Sequence, residues 1–262
     1  MKINSIHIYP IKGLAGISLS SAKVLERGLE YDRRWMLIDA QGEFITQRTD
    51  ARLALFHCAL DQTLAVTYGD AQLSIDLDEV TGEKILTNVW EHQVYTYEVS
   101  QAASDWFSDQ LGVDCLLVKM VDEFDRYKDL IKGPAQTRVS LADGYPYHII
   151  GTASFDLLAD KVGSRIPQNR FRANIIVETD EAHIEDTWDQ LKVGSAKLQV
   201  IKPCARCLVV NIDQSTGKSL KEPLKSLASY RSDGNVVNFG ANSICLTEGS
   251  ISVGDTIDFI GV

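Results

Sequence analysis

Lys202-Pro203-Cys204-Ala205-Arg206-Cys207 places two thiols and two cations within one short stretch of a chain whose formal net charge is −10. Two cysteines at this spacing chelate a metal, close a small disulfide, or leave one thiolate free to act, and flanking cations favour the thiolate form. The residues that follow narrow the choice. Residues 208–213, Leu-Val-Val-Asn-Ile-Asp, are rich in β-branched types and predict a buried strand, with a turn over 214–217. Cys207 is therefore expected at the start of a strand. A thioredoxin-like dithiol stands instead at a helix N-terminus, where the dipole activates it, and that context is missing.

The chain has 262 residues, 45% hydrophobic and 24% charged, which suffices for one large core or two modest ones without staples. Its acidity argues against a general nucleic-acid or anionic-membrane binder, since those partners reward a basic surface. An anionic ligand must then be met by a local cluster of Arg and Lys. Five cysteines with one close pair do not make a secreted disulfide framework, and a reducing cytoplasm is the expected location. No eighteen-residue apolar run and no N-terminal apolar leader are present, so no membrane is expected as a partner.

Residues 2–9, 21–25, 34–38 and 43–46 read as strands, with Asp39-Ala40-Gln41-Gly42 as a hairpin turn. Short strand patterns over 53–60, 64–68, 72–77 and 94–99 continue the series, which suits a small barrel or sandwich. Ser100 and Gly112 bracket a helix whose Ala103, Phe107 and Leu111 share a face. Residues 121–145 have no sustained period and read as a long loop, with a boundary near 125 dividing units 1–125 and 126–262. Helices are expected over 154–163 and 223–231, and strands over 174–178, 197–202, 243–247 and 256–260. The fold class is α+β, mostly β.

The ordered set Tyr9-Pro10-Ile11-Lys12, Tyr31-Asp32-Arg33-Arg34-Trp35, Phe171-Arg172-Ala173-Asn174, Cys204-Ala205-Arg206-Cys207 and Val253-Gly254-Asp255 resembles the MOSC family, named for the C-terminal domain of molybdenum cofactor sulfurase. More narrowly, it looks like the branch containing the mitochondrial amidoxime-reducing component and its bacterial relatives. The resemblance implies an N-terminal β-barrel-like unit followed by a MOSC β-barrel with short flanking helices. It also implies a molybdenum cofactor, Mo-molybdopterin, with Cys207 as the catalytic thiolate on the metal. A soft thiolate suits a metal already held by a dithiolene.

A phosphate-bearing pterin needs bidentate cations and amide-like partners. By motif position these are Lys12, Arg33, Arg172, Arg206 and Asn174, joined by Thr152 and Ser154 at a helix start whose N–H groups can face an anion. Arg34 is expected to be structural. The chain departs from the branch pattern at Gly13, Ala173, Ala205 and Asn242, which removes hydroxyl contacts and alters one pocket wall.

The activity implied is reduction of N-hydroxylated compounds (amidoximes, hydroxylamines, N-hydroxylated bases). Electrons would come from a separate flavin or iron–sulfur protein, because no ferredoxin-like cysteine cluster follows. A cofactor carrier or sulfur-transfer module would use the same anchors without turnover. A zinc site would need Cys204, Cys207 and two further ligands, such as Cys245 and one of His7, His57, His92, His148 or His183, and no second close pair supports it.

Overall fold

The computed structural model describes residues 1–260 and is mostly β, with three α-helices among the described residues. The largest sheet runs in the order Ile17–Leu19, Ile3–Ile8, Ile175–Val177, Tyr147–Gly151, Val236–Thr247, Ala196–Arg206, Gln190–Val193 and Ile257–Ile260. Its neighbours are antiparallel except Tyr147–Gly151 against Ile175–Val177. A parallel pair needs a crossover, and helix α2 (Thr152–Val162) lies in that connection.

The beginning of the chain is woven into this sheet. Ile3–Ile8 lies between Ile17–Leu19 and Ile175–Val177, and Ser21–Leu25 pairs with Gly249–Ser252. Ile3, Ile6 and Ile8 bury fully beside Val177, Leu198 and Val200, so the apolar set of the first strand completes a core that the C-terminal strands begin. A second sheet (Trp35–Ile38, Leu116–Lys119, His92–Glu98, Lys84–Val89) and a three-stranded meander (His57–Leu60, Thr63–Tyr68, Ala71–Asp76) form the rest of the N-terminal half. Helix α1 (Gln101–Leu111) buries Ala103, Phe107 and Leu111 between them against Trp35, Phe56 and Leu117. Ser100 caps its first turn, and Gly112, at φ 67, closes it with an N–H bond to Ser108 of 2.7 Å.

Two expectations are corrected. Residues 208–213 do not form a strand: Leu208–Asn211 is a turn of 3-10 helix, and Cys207 follows the strand Ala196–Arg206 rather than opening one. Arg170 helps to hold this turn, its buried guanidinium binding the Asn211 and Ile212 carbonyls at 2.6 and 3.1 Å, and the only β pairing left to the stretch among the described residues is the isolated Ile212–Ser219 bridge. The stretch 121–145 is not plain loop, because Tyr127–Asp129 and Gln136–Arg138 pair as a hairpin within it.

Helix α3 (Leu224–Arg231) packs beside the long strand Val236–Thr247, in which Gly240 takes φ 74. A Cβ there would lie 2.6 Å from His148 Nε2 and 2.7 Å from the Ile149 carbonyl, so the two central strands approach at a point that only glycine permits. Gly240→Ala is expected to lower the unfolding free energy by about 3 kcal/mol, combining overpacking with backbone strain. A fall in the urea midpoint at unchanged m-value is the readout, and an unshifted midpoint would refute the packing argument.

Candidate functional site

A cleft of about 520 Å³ opens where the central strands of the large sheet meet the loops of the N-terminal half. Its wall carries eight Lys and Arg side chains against two carboxylates, Glu91 and Asp143. In an acidic chain this is the local cationic cluster that an anionic ligand requires. Lys12, Arg33, Arg172, Asn174, Arg206 and Cys207 all reach the wall, from four separate segments.

Arg33 and Arg172 are presented by the same backbone device. Each adopts a left-handed conformation, at φ 50 and 54, which turns its side chain out of the run of its neighbours. Both guanidiniums rest against the ring of Tyr9, at 4.3 and 4.2 Å from its centroid. Asp32, fully buried, accepts the Tyr9 N–H at 2.8 Å and Arg33 Nη1 at 2.6 Å, while Arg33 Nη2 donates to the Arg172 carbonyl. Burial, and then the charge of Arg33, push the Arg172 guanidinium down to about 10. Arg34 instead donates to the Met120 carbonyl and to Asp122, away from the cleft.

Arg206 ends its strand with Nη2 on the Phe171 carbonyl at 2.7 Å and Nη1 at 3.0 Å from Cys204 Sγ. Nη1 also lies 3.3 Å from the ring of His148, whose pKa is held well below the ordinary histidine value by burial and then by Arg206. His148 is therefore neutral, and its Nε2 faces the Phe239 carbonyl at 3.1 Å. Asn174 spends its amide on structure: Oδ1 accepts the His148 N–H and Nδ2 donates to the His7 carbonyl.

Cys207 is exposed, and Arg48 Nη1 stands 3.4 Å from its sulfur. Arg48 also contacts Asp143 and lies 4.6 Å from the Trp90 ring centroid. Asp143 in turn holds Lys12 Nζ at 2.5 Å, with the Leu141 carbonyl at 2.7 Å. Burial lowers Lys12 to about 8, although Asp143 opposes that shift. Burial acts to raise the Asp143 carboxyl, yet Lys12 and Arg48 outweigh it and hold the group below the usual carboxylate range.

Thr152 and Ser154 are elsewhere, and this corrects their expected role. The chain's own Glu185 occupies the start of α2, both of its carboxylate oxygens lying within hydrogen-bond reach of Ser154 Oγ, at 2.8 and 3.1 Å. Thr152 Oγ donates to the Thr179 carbonyl. Arg48, Trp90, Arg126 and Asp143 were missed by sequence reasoning, since they lie in turns and loops with no periodic signal. A group of three metal-ligating side chains is absent among the described residues, and none of their helices is long and apolar enough to cross a membrane.

The donor set fits a dianionic, soft-ligand group. Arg126 Nε and Arg206 Nε are buried without a partner, Arg172 has no carboxylate partner of its own and donates to the Leu14 carbonyl, and a thiol faces the same space. Lys12 loses its charge as pH rises through about 8, and a bound anion would raise its pKa, so anion affinity is full below that pH and falls above it. Sulfate affinity is expected to drop about five- to tenfold between pH 7 and 9. Lys12→Met should flatten the profile in calorimetric titration; a slope that survives in the variant would exclude Lys12 as its source.

Residues 1–114 match the MOSC N-terminal beta barrel domain, and residues 136–258 match the MOSC domain. The chain is 28% identical to molybdenum cofactor sulfurase of Danio rerio over 91% of its own length and 31% of that protein. It is 29% identical to mitochondrial amidoxime-reducing component 1 of Mus musculus, covering 99% of this chain and 82% of the relative. The human amidoxime-reducing component 1 is 26% identical over 99% and 83%. The chain thus spans about a third of the sulfurase relative and most of the amidoxime-reducing ones. With both domains matched in order around one cationic, thiol-bearing cleft, this chain belongs to the MOSC-domain family.

Proposed function

We propose that the cleft holds a molybdenum cofactor and that the protein reduces N-hydroxylated compounds, with electrons from a separate flavin or iron–sulfur protein. The observation that carries this reading is an exposed thiol, Cys207, on a wall of eight cations in a chain of net charge −10. Similarity to the amidoxime-reducing components over 99% of the chain supports it.

Arg33, Arg172 and Arg206 would hold the phosphate and pterin, and Cys207 would supply the thiolate ligand. When bound, the cofactor supplies the two-electron chemistry of N–O cleavage. The reduction also consumes two protons, releasing the amine or amidine and water. Lys12 Nζ, at about 8, is suited to give up a proton at neutral pH and be reloaded from solvent, with Asp143 holding it in place. Arg48 keeps a positive charge beside the Cys207 sulfur and bridges it to Asp143.

A second reading, a cofactor carrier or sulfur-transfer protein, is favoured by the comparable identity to molybdenum cofactor sulfurase and by the exposure of Cys207. It uses the same anchors. Turnover separates the two: the loaded protein with a reduced artificial donor should convert amidoxime to amidine, whereas a carrier would not.

Protein purified from a host that makes the cofactor is expected to contain molybdenum and pterin near one per chain; zinc in place of molybdenum would end the reductase reading. Cys207→Ser should lose at least about 100-fold in activity with the fold retained, as loss of a direct metal ligand implies. Cys204→Ser should lose less than Cys207→Ser, because Cys204 touches Arg206 and is not the proposed metal ligand. Equal losses in the two variants would point to a dithiol pair instead.

A further inference from the structure

Three aromatic rings line the cleft, and they differ sharply in exposure. Phe171 is 0% and Tyr145 9% exposed, so both serve the core, whereas Trp90 is 47% exposed. Trp90 occupies the first position of the two-residue turn joining Lys84–Val89 to His92–Glu98, where Val89 pairs with His92. Its backbone takes φ 59, a left-handed conformation that turns of this kind ordinarily fill with glycine. A bulky indole in that position is strained, and its exposed area contributes little burial to offset the strain.

The indole is nonetheless held firmly in one place. Phe44 meets it edge-on at 5.4 Å, and Arg48, itself paired with Asp143, lies 4.6 Å from its centroid. Through Arg48 the ring is one side chain removed from the Cys207 sulfur. Arg33 and Arg172 gather instead about Tyr9, and Arg206 about His148 and Phe171. The cleft therefore carries an exposed aromatic wall beside the thiol that the cationic anchoring of a phosphate does not explain.

We propose that Trp90 is a specificity-determining residue that stacks on the flat body of the substrate, so that the site prefers planar, aromatic N-hydroxylated compounds over aliphatic ones. This rests on the reductase reading above. A π-face attracts any planar, conjugated group, and stacking of this kind is commonly worth about tenfold in affinity per ring. A small aliphatic amidoxime offers the same N–OH group without the ring and isolates the contribution of the wall.

The test uses cofactor-loaded protein with benzamidoxime and acetamidoxime as the matched pair, measuring kcat/KM for each and, independently, binding by calorimetry. Wild type is expected to favour benzamidoxime in both measurements. Trp90→Ala should cut that preference about tenfold, chiefly through KM and Kd, and Trp90→Phe should restore most of it. A preference that survives in Trp90→Ala overturns the inference, as does loss of pterin from that variant, which would make the ring a cofactor platform. Absence of turnover with either compound would defeat the reductase reading alone, because the calorimetric preference and its loss in Trp90→Ala still decide the role of the ring.

Discussion

Two guanidinium groups pressed against one tyrosine ring are the arrangement on which the site depends. Arg33 and Arg172 carry like charges into the same enclosed space, at a cost that rises as water is excluded. Three contacts offset it: the π-face of Tyr9, the buried carboxylate of Asp32, and the bond from Arg33 to the Arg172 carbonyl. Asp32 also takes the Tyr9 N–H, so one carboxylate fixes both the ring and a cation beside it. The charge left over is what makes this part of the cleft receptive to an anion.

That arrangement joins parts of the chain far apart in sequence. Tyr9 ends the first strand, Asp32 and Arg33 lie in the turn before Trp35–Ile38, and Arg172 lies in the crossover between the two parallel strands. They meet because Ile3–Ile8 inserts beside Ile175–Val177, burying its isoleucines in a core built mainly from the C-terminal half. Apolar burial thus drives the assembly of a polar site. Asn174 ties the same junction by bridging His148 and His7.

The functional wall departs repeatedly from regular backbone. Arg33, Arg172 and Trp90 all have positive φ, and Gly240 does so inside a central strand. At each arginine, one within a turn and the other capping a 3-10 turn, the left-handed residue redirects the side chain. Gly240 removes a Cβ so that His148 can pass beneath Arg206. Neutral His148 then gives the guanidinium a hydrogen-bonding neighbour without adding to the positive charge of Arg33, Arg172 and Arg206.

Much of the molecule was legible in the amino-acid order. The mostly β class and the capped helix from Ser100 to Gly112 rest on local chemistry, whereas Lys12, Arg33, Arg172, Asn174, Arg206 and Cys207 were singled out by the resemblance of their ordered motifs to the MOSC family. Spacing, turn residues and side-chain type are properties of neighbours in sequence. What tertiary structure decided involves partners that no local pattern can name. Residues 208–213 have the composition of a strand but wind into a 3-10 turn whose Asn211 and Ile212 carbonyls are held by Arg170 from another segment. The start of α2 looked open to an anion, and Glu185, thirty-one residues beyond Ser154, fills it. Arg48, Trp90 and Asp143 lie in turns whose sequences carry no period, and they join Cys207 only when the N-terminal loops close over the large sheet. Local order sets which elements form and which groups are available; long-range burial decides which of those groups share one enclosed space, where their charges and hydrogen bonds act on each other.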